Sequence, residues 1–338
     1  MNGTLNMREI PLPGPDQAAD RQAFSMRAVG GVLYFGTRNR GGARLHRLGP
    51  DGRVEPVLRL DPDNVDIYGI FPFGGRLLLG TYNEKGGQLL RLHPDGRLET
   101  IFDRGLDDPD NKDIWSLAEH RGRLYFGTWN NRSGGKIYQG DGESFRRVWD
   151  SGDPAVSYVR AFAELDGRLH ASLGNRCSPP VLLHLDGERV ETVPTPMLPP
   201  RGDVYVLRAF RDRLFLGVAA YHANEAVGGA EVWSFDGRNF SPSALGGFGN
   251  PNNIYILSIT EWNGTLVCAT YNFKDGCELW ASADGDAWKP LVRGGFGQGP
   301  ANESVVYGLE VLDDRLYAAT RNTRDGCRLY VLDCDERR

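Results

Sequence analysis

Apolar residues along this chain fall in short runs that alternate with polar ones, as they do on a strand with one face buried. No segment carries the three-and-four spacing of a helix-length apolar stripe. One run recurs: a turn residue, usually Arg, a short apolar stretch, often Gly-Thr, then an aromatic residue or Arg, then Asn. It reads Gly31-Val-Leu-Tyr-Phe-Gly-Thr37-Arg38-Asn39, Gly75-Arg-Leu-Leu-Leu-Gly-Thr81-Tyr82-Asn83 and Gly122-Arg-Leu-Tyr-Phe-Gly-Thr128-Trp129-Asn130. Weaker copies start at Gly167 and Asp212, and clear ones return at Gly264-Thr-Leu-Val-Cys-Ala-Thr270-Tyr271-Asn272 and Asp314-Arg-Leu-Tyr-Ala-Ala-Thr320-Arg321-Asn322. Successive copies begin 44, 47, 45, 45, 52 and 50 residues apart. A period of that length is the mark of propeller blades.

Each copy divides into four strands. In the second, these are 66–73, 76–82, 88–93 and 97–102, with Asp95-Gly96 between the last two. Asp-Gly tolerates the positive φ of a tight hairpin, and the pair returns at 51–52, 141–142, 186–187, 236–237 and 284–285. The seventh copy runs out after its third strand (328–332), while 5–12 forms a strand that belongs to no copy. The expectation is an all-β, seven-bladed β-propeller with four antiparallel strands per blade, its last blade closed by the N-terminal strand, so that no edge stays open. The blades span 24–60, 65–103, 112–150, 156–194, 203–245, 253–293 and 304–333, the last completed by 5–12, in one domain.

Within the sixth copy, Ser282-Ala-Asp284-Gly285-Asp-Ala-Trp288 resembles the Asp-box hairpin of sialidase-like propellers, with the glycine one residue early. The fifth keeps only Ser234-Phe-Asp236-Gly237. Over its length the chain resembles bacterial seven-bladed repeat proteins of the Asp-box and kelch-like classes. That resemblance implies architecture and transfers no catalytic residue.

Composition narrows the partners. A net charge of −5 with no basic run argues against nucleic acid, and no apolar stretch is long enough for a membrane span. The five cysteines form no CxxC pair, and no basic-then-apolar leader opens the chain; both features fit free thiols in the cytoplasm.

Three groups carry candidate chemistry. Arg38, Tyr82, Trp129, Tyr271 and Arg321 follow the repeated Thr, where strands end at the mouth of a central channel, a common place for ligands. Two guanidiniums with aromatic walls suit an anionic or sugar-like molecule; the plain alternative is that these side chains cap strand ends and stack on one another. Asp66, Asp113 and Asp203 begin inner strands, each two residues before an aromatic, with Asn64, Asn111, Asn253 and Asn302 close by. Such oxygens could bind a ligand or a Ca²⁺ ion, although nothing else in the sequence supports a metal or cofactor; the alternative is that they tie down loop backbone. The irregular fifth copy brings Tyr221, His222 and Glu225 to the same face as an acid–base set. The sequence therefore favours a propeller binding a small molecule or glycan. An enzyme (lyase, hydrolase or cyclase) and a protein-interaction scaffold are the alternatives.

Overall fold

The computed structural model describes residues 4–13, 17–174, 180–187, 189–222 and 225–335. Strand follows strand, joined by tight turns and a few short 3-10 segments. Two compact units emerge, one of Ile67–Tyr255 and the other of Met1–Asp66 with Ile256–Arg338.

The 67–255 unit shows the repeating pattern most fully. Asp113–His120, Arg123–Trp129, Lys136–Gly140 and Phe145–Asp150 form an antiparallel meander. Tyr158–Leu165, Arg168–Gly174, Val181–Asp186 and Arg189–Val193 form the next. Gly202–Phe210, Arg213–His222, Glu231–Phe235 and Phe240–Ala244 repeat it again. Apolar positions on both faces of each meander are buried, as in the cluster of Leu78, Phe102, Ile114, Phe126 and Tyr138. Phe126 stacks on Tyr138 there with ring centroids 4.8 Å apart.

In the other unit, Leu309–Leu312, Arg315–Ala319 and Leu329–Asp335 are joined by Thr4–Ile10. This N-terminal strand runs antiparallel along the last one, Leu5 opposite Cys334 and Ile10 opposite Leu329. It covers an edge that would otherwise expose unpaired backbone groups. Cys268, Cys277, Cys327 and Cys334 are free thiols.

The Gly-Thr-x-Asn repeat has an architectural cause. A Cβ on Gly127 would lie 2.4 Å from the Val159 side chain, so glycine lets the next inner strand pass close by. The Thr128 hydroxyl accepts the backbone N–H of Lys136 at 3.0 Å. Asn130 accepts the N–H groups of Arg132 and Ser133 and donates its amide to Asn111 and Asp108. Buried backbone donors need such acceptors, and one side chain thereby pins a loop to its neighbour. Asn322 does the same with Arg324, Asp325 and Asn302 in the other unit. Asn130→Ala strands several of these groups and is expected to cost about 1–3 kcal/mol, read as a lower midpoint in urea denaturation.

Candidate functional site

The residue between Thr and Asn sits where two meanders meet. In the 67–255 unit, Tyr82 pairs with Asp113, Trp129 with Tyr158 and Gly174 with Asp203. In the other unit, Arg38 pairs with Asp66, Tyr271 with Ser304 and Arg321 with Gln22. Two residues further along, the inner strand is bulged. The pairing register shifts between Ile114 and Ser116, Val159 and Ala161, and Val204 and Val206, at Trp115, Arg160 and Tyr205. A bulge re-aims its extra residue.

These positions assemble an aromatic array. Tyr68 stacks on Trp115 at 4.2 Å, and Trp115 meets Tyr158 edge-on at 5.8 Å. Tyr158 stacks on Trp129 at 5.4 Å, and Trp129 on Tyr82 at 6.0 Å. All five rings are half-buried. Offset stacks of this kind hold each ring in place.

Behind the array lies Arg160. Its guanidinium carbon stands 3.5 Å from the Tyr158 ring centroid, 4.6 Å from Tyr205 and 5.1 Å from Trp115. Its Nη2 donates to Asp203 Oδ2 at 3.1 Å, and the two side chains are 6% and 0% exposed. This is a buried ion pair wrapped in aromatic faces, favourable for a cation over π systems. Arg160 was not among the sequence-derived candidates. Its signal was an exchange: Asp113-Ile-Trp115 and Asp203-Val-Tyr205 correspond to Tyr158-Val-Arg160, with the ring moved forward and a cation in its place.

At the outer end of the array the Tyr82 hydroxyl donates to Glu84, whose other oxygen accepts from Lys112 at 2.7 Å. Lys112 and Tyr82 together hold the Glu84 carboxyl below its ordinary range.

The guanidiniums expected to meet an anion are each matched with a carboxylate. Arg38 lies 3.7 Å from Asp66, and Arg321 donates to Glu303 at 2.8 Å and to Gln22 at 3.3 Å. Arg321 also lies over the Tyr271 ring, 5.8 Å from its centroid. Burial pushes the Asp66 carboxyl up to about 7, against the pull of Arg38.

The nearby amides serve the backbone. Asn111, Asn253 and Asn302 donate to the carbonyls of Gly105, Gly247 and Gly295. Among the described residues no group of three His, Cys, Asp or Glu side chains could hold a metal ion.

Strand Arg213–His222 simply continues, and turns back through Glu225–Ala226 with His222 opposite Glu225. Glu225 is exposed. The side chains of Tyr221 and His222 lie outside the described residues. No helix among the described residues is long and apolar enough to cross a membrane.

No family model and no curated protein sequence matches the chain. Solved structures do. A catalytically inactive virginiamycin B lyase from Staphylococcus aureus, crystallised with quinupristin, superposes with a TM-score of 0.73 at 12% identity, over 97% of this chain and 99% of that one. The selenomethionine-substituted lyase gives 0.70 at 11% identity over the same shares. A GH74 xyloglucanase from Xanthomonas campestris gives 0.57 at 13% identity, over 95% of this chain and 54% of that one. The chain has a β-propeller architecture. At such low identity the likeness concerns the fold and leaves activity to the site itself.

Proposed function

We propose that this propeller has seven blades, closed by Thr4–Ile10, and binds a small uncharged, sugar-like molecule on the aromatic array Tyr68, Trp115, Tyr158, Trp129 and Tyr82. The observation that carries the reading is that array: five half-buried rings in one unit, braced from behind by Arg160 and Asp203. Rings with an apolar face and a wet edge suit a ligand that is itself apolar on its ring faces and polar at its rim. The sugar-like half of the sequence expectation is favoured over the anionic half, because Arg38, Arg160 and Arg321 each lie beside a carboxylate. An anion would have to displace that partner and leave it unpaired.

The test is titration of tryptophan fluorescence with neutral di- and trisaccharides. Trp129→Ala is expected to weaken binding about tenfold or more, as loss of a central aromatic anchor does, measured at a temperature at which circular dichroism shows the variant folded. Equal affinity in the variant would count against the array.

An enzyme is the second reading, favoured by one observation. A buried carboxyl titrating near 7, as Asp66 does, is suited to proton transfer at neutral pH. Propellers among the similar solved structures include a lyase and a xyloglucanase. Loss of turnover in Asp66→Asn with binding intact would establish that reading.

A further inference from the structure

We propose that the Glu84–Lys112 pair at the Tyr82 end of the array is the polar arm of the site and recognises two adjacent hydroxyls of an uncharged sugar. The inference rests on the sugar-binding reading above and adds the group that selects the ligand.

The pair is accessible where Arg160 and Asp203 are not: Glu84 is 68% exposed and Lys112 23%. It is also held in place. The Tyr82 hydroxyl, part of the array itself, donates to one Glu84 oxygen while the Lys112 ammonium donates to the other. Backbone bonds fix the segments that carry them: Lys112 N–H donates to the carbonyls of Trp129 and Asp110, and Asn83 N–H donates to the Lys112 carbonyl. The Asn83 side chain accepts the Lys85 N–H and shapes the turn containing Glu84. Carboxylate and ammonium are therefore tied to the Tyr82 hydroxyl and, through the backbone, to the strand that carries Trp129.

Among the described residues their hydrogen-bonding capacity exceeds what is used. Each carboxylate oxygen accepts more than one donor, and an ammonium has three protons, of which Glu84 takes one. Adjacent hydroxyls match the remainder, one donating to Glu84 and the other accepting from Lys112. The pair carries no net charge, so a sugar carboxylate would meet Glu84 as a like charge, and an amino sugar would meet Lys112 likewise.

The experiment titrates the full chain with cellobiose, maltose, lactose and xylobiose, with glucuronate and glucosamine as charged counterparts of glucose. Wild type, Glu84→Gln, Lys112→Met and Trp129→Ala are compared. Expected is binding of at least one neutral sugar, about tenfold weaker in Glu84→Gln and in Lys112→Met, with melting temperatures unchanged. A monodeoxy form of the bound sugar should lose a similar factor on wild type and little more on Glu84→Gln, the mark of a direct pairing. Should a variant prove unstable, the deoxy sugar on wild type decides. Unchanged affinity in Glu84→Gln and Lys112→Met, with Trp129→Ala impaired, overturns the polar arm and leaves the array standing. Preference for glucuronate or glucosamine overturns the arm as well. No binding of any neutral sugar to wild type removes both readings.

Discussion

Arg160→Met is expected to destabilise the protein by about 3–5 kcal/mol, the usual cost of leaving one member of a buried ion pair without the other. The reasoning starts from Asp203, whose side chain is fully buried and whose Oδ2 accepts from Arg160. Among the described residues its Oδ1 finds no hydrogen-bond partner. Position 174, directly across the strand pair, is glycine, so no side chain from there replaces the lost donor; a Cβ at that position would lie 2.3 Å from Oδ1. Methionine fills much of the volume among Tyr158, Tyr205 and Trp115 but supplies no charge. Urea denaturation of the single variant measures the loss. The double variant Arg160→Met, Asp203→Leu should recover most of it, because an apolar pair of similar size often equals a buried ion pair. A single variant within about 1 kcal/mol of wild type would mean that Asp203 does not depend on Arg160.

Asp66→Asn is expected to change how stability depends on pH. Burial raises the native carboxyl from 3.8 to about 7. Between those values the native state holds a proton that the unfolded chain has released, so wild-type stability falls as pH rises. From about pH 5 to pH 8 this one group should remove on the order of 2–3 kcal/mol. An amide does not titrate, so the variant should lack that component. The difference between the two denaturation curves should grow in favour of Asp66→Asn with rising pH. The partly exposed Arg38 sets the limit, since it offsets part of the burial cost. Parallel pH profiles would mean that Asp66 stays ionised in the native state across this range.

Much of the architecture was readable from residues alone. Strand periodicity, the Asp-Gly hairpins and the unpaired segment at 5–12 all reflect local chemistry, because alternation and positive-φ turns depend on few neighbours. The strand expected at 5–12 is Thr4–Ile10, paired along Leu329–Asp335. The Thr-x-Asn repeat was visible too, and the alternative that the inner-strand amides tie down loop backbone describes Asn111, Asn253 and Asn302. Candidate chemistry was harder to read. Arg38 and Arg321 looked like cations awaiting an anion because their carboxylate partners are distant along the chain, Asp66 lying 28 residues on in the next copy and Glu303 18 residues back.

The sequence by itself determined that this is an all-β repeat protein, and which positions carry aromatic, acidic or basic groups at strand ends. Only the tertiary structure decided which of those groups meet. It turned Trp115, Arg160 and Tyr205 by bulges that no alternation rule contains, and it set Arg160 under Tyr158 and against Asp203, 43 residues away. The reason is one of range: strand and turn preferences act over a few residues, whereas pairing and stacking follow from how separate meanders pack.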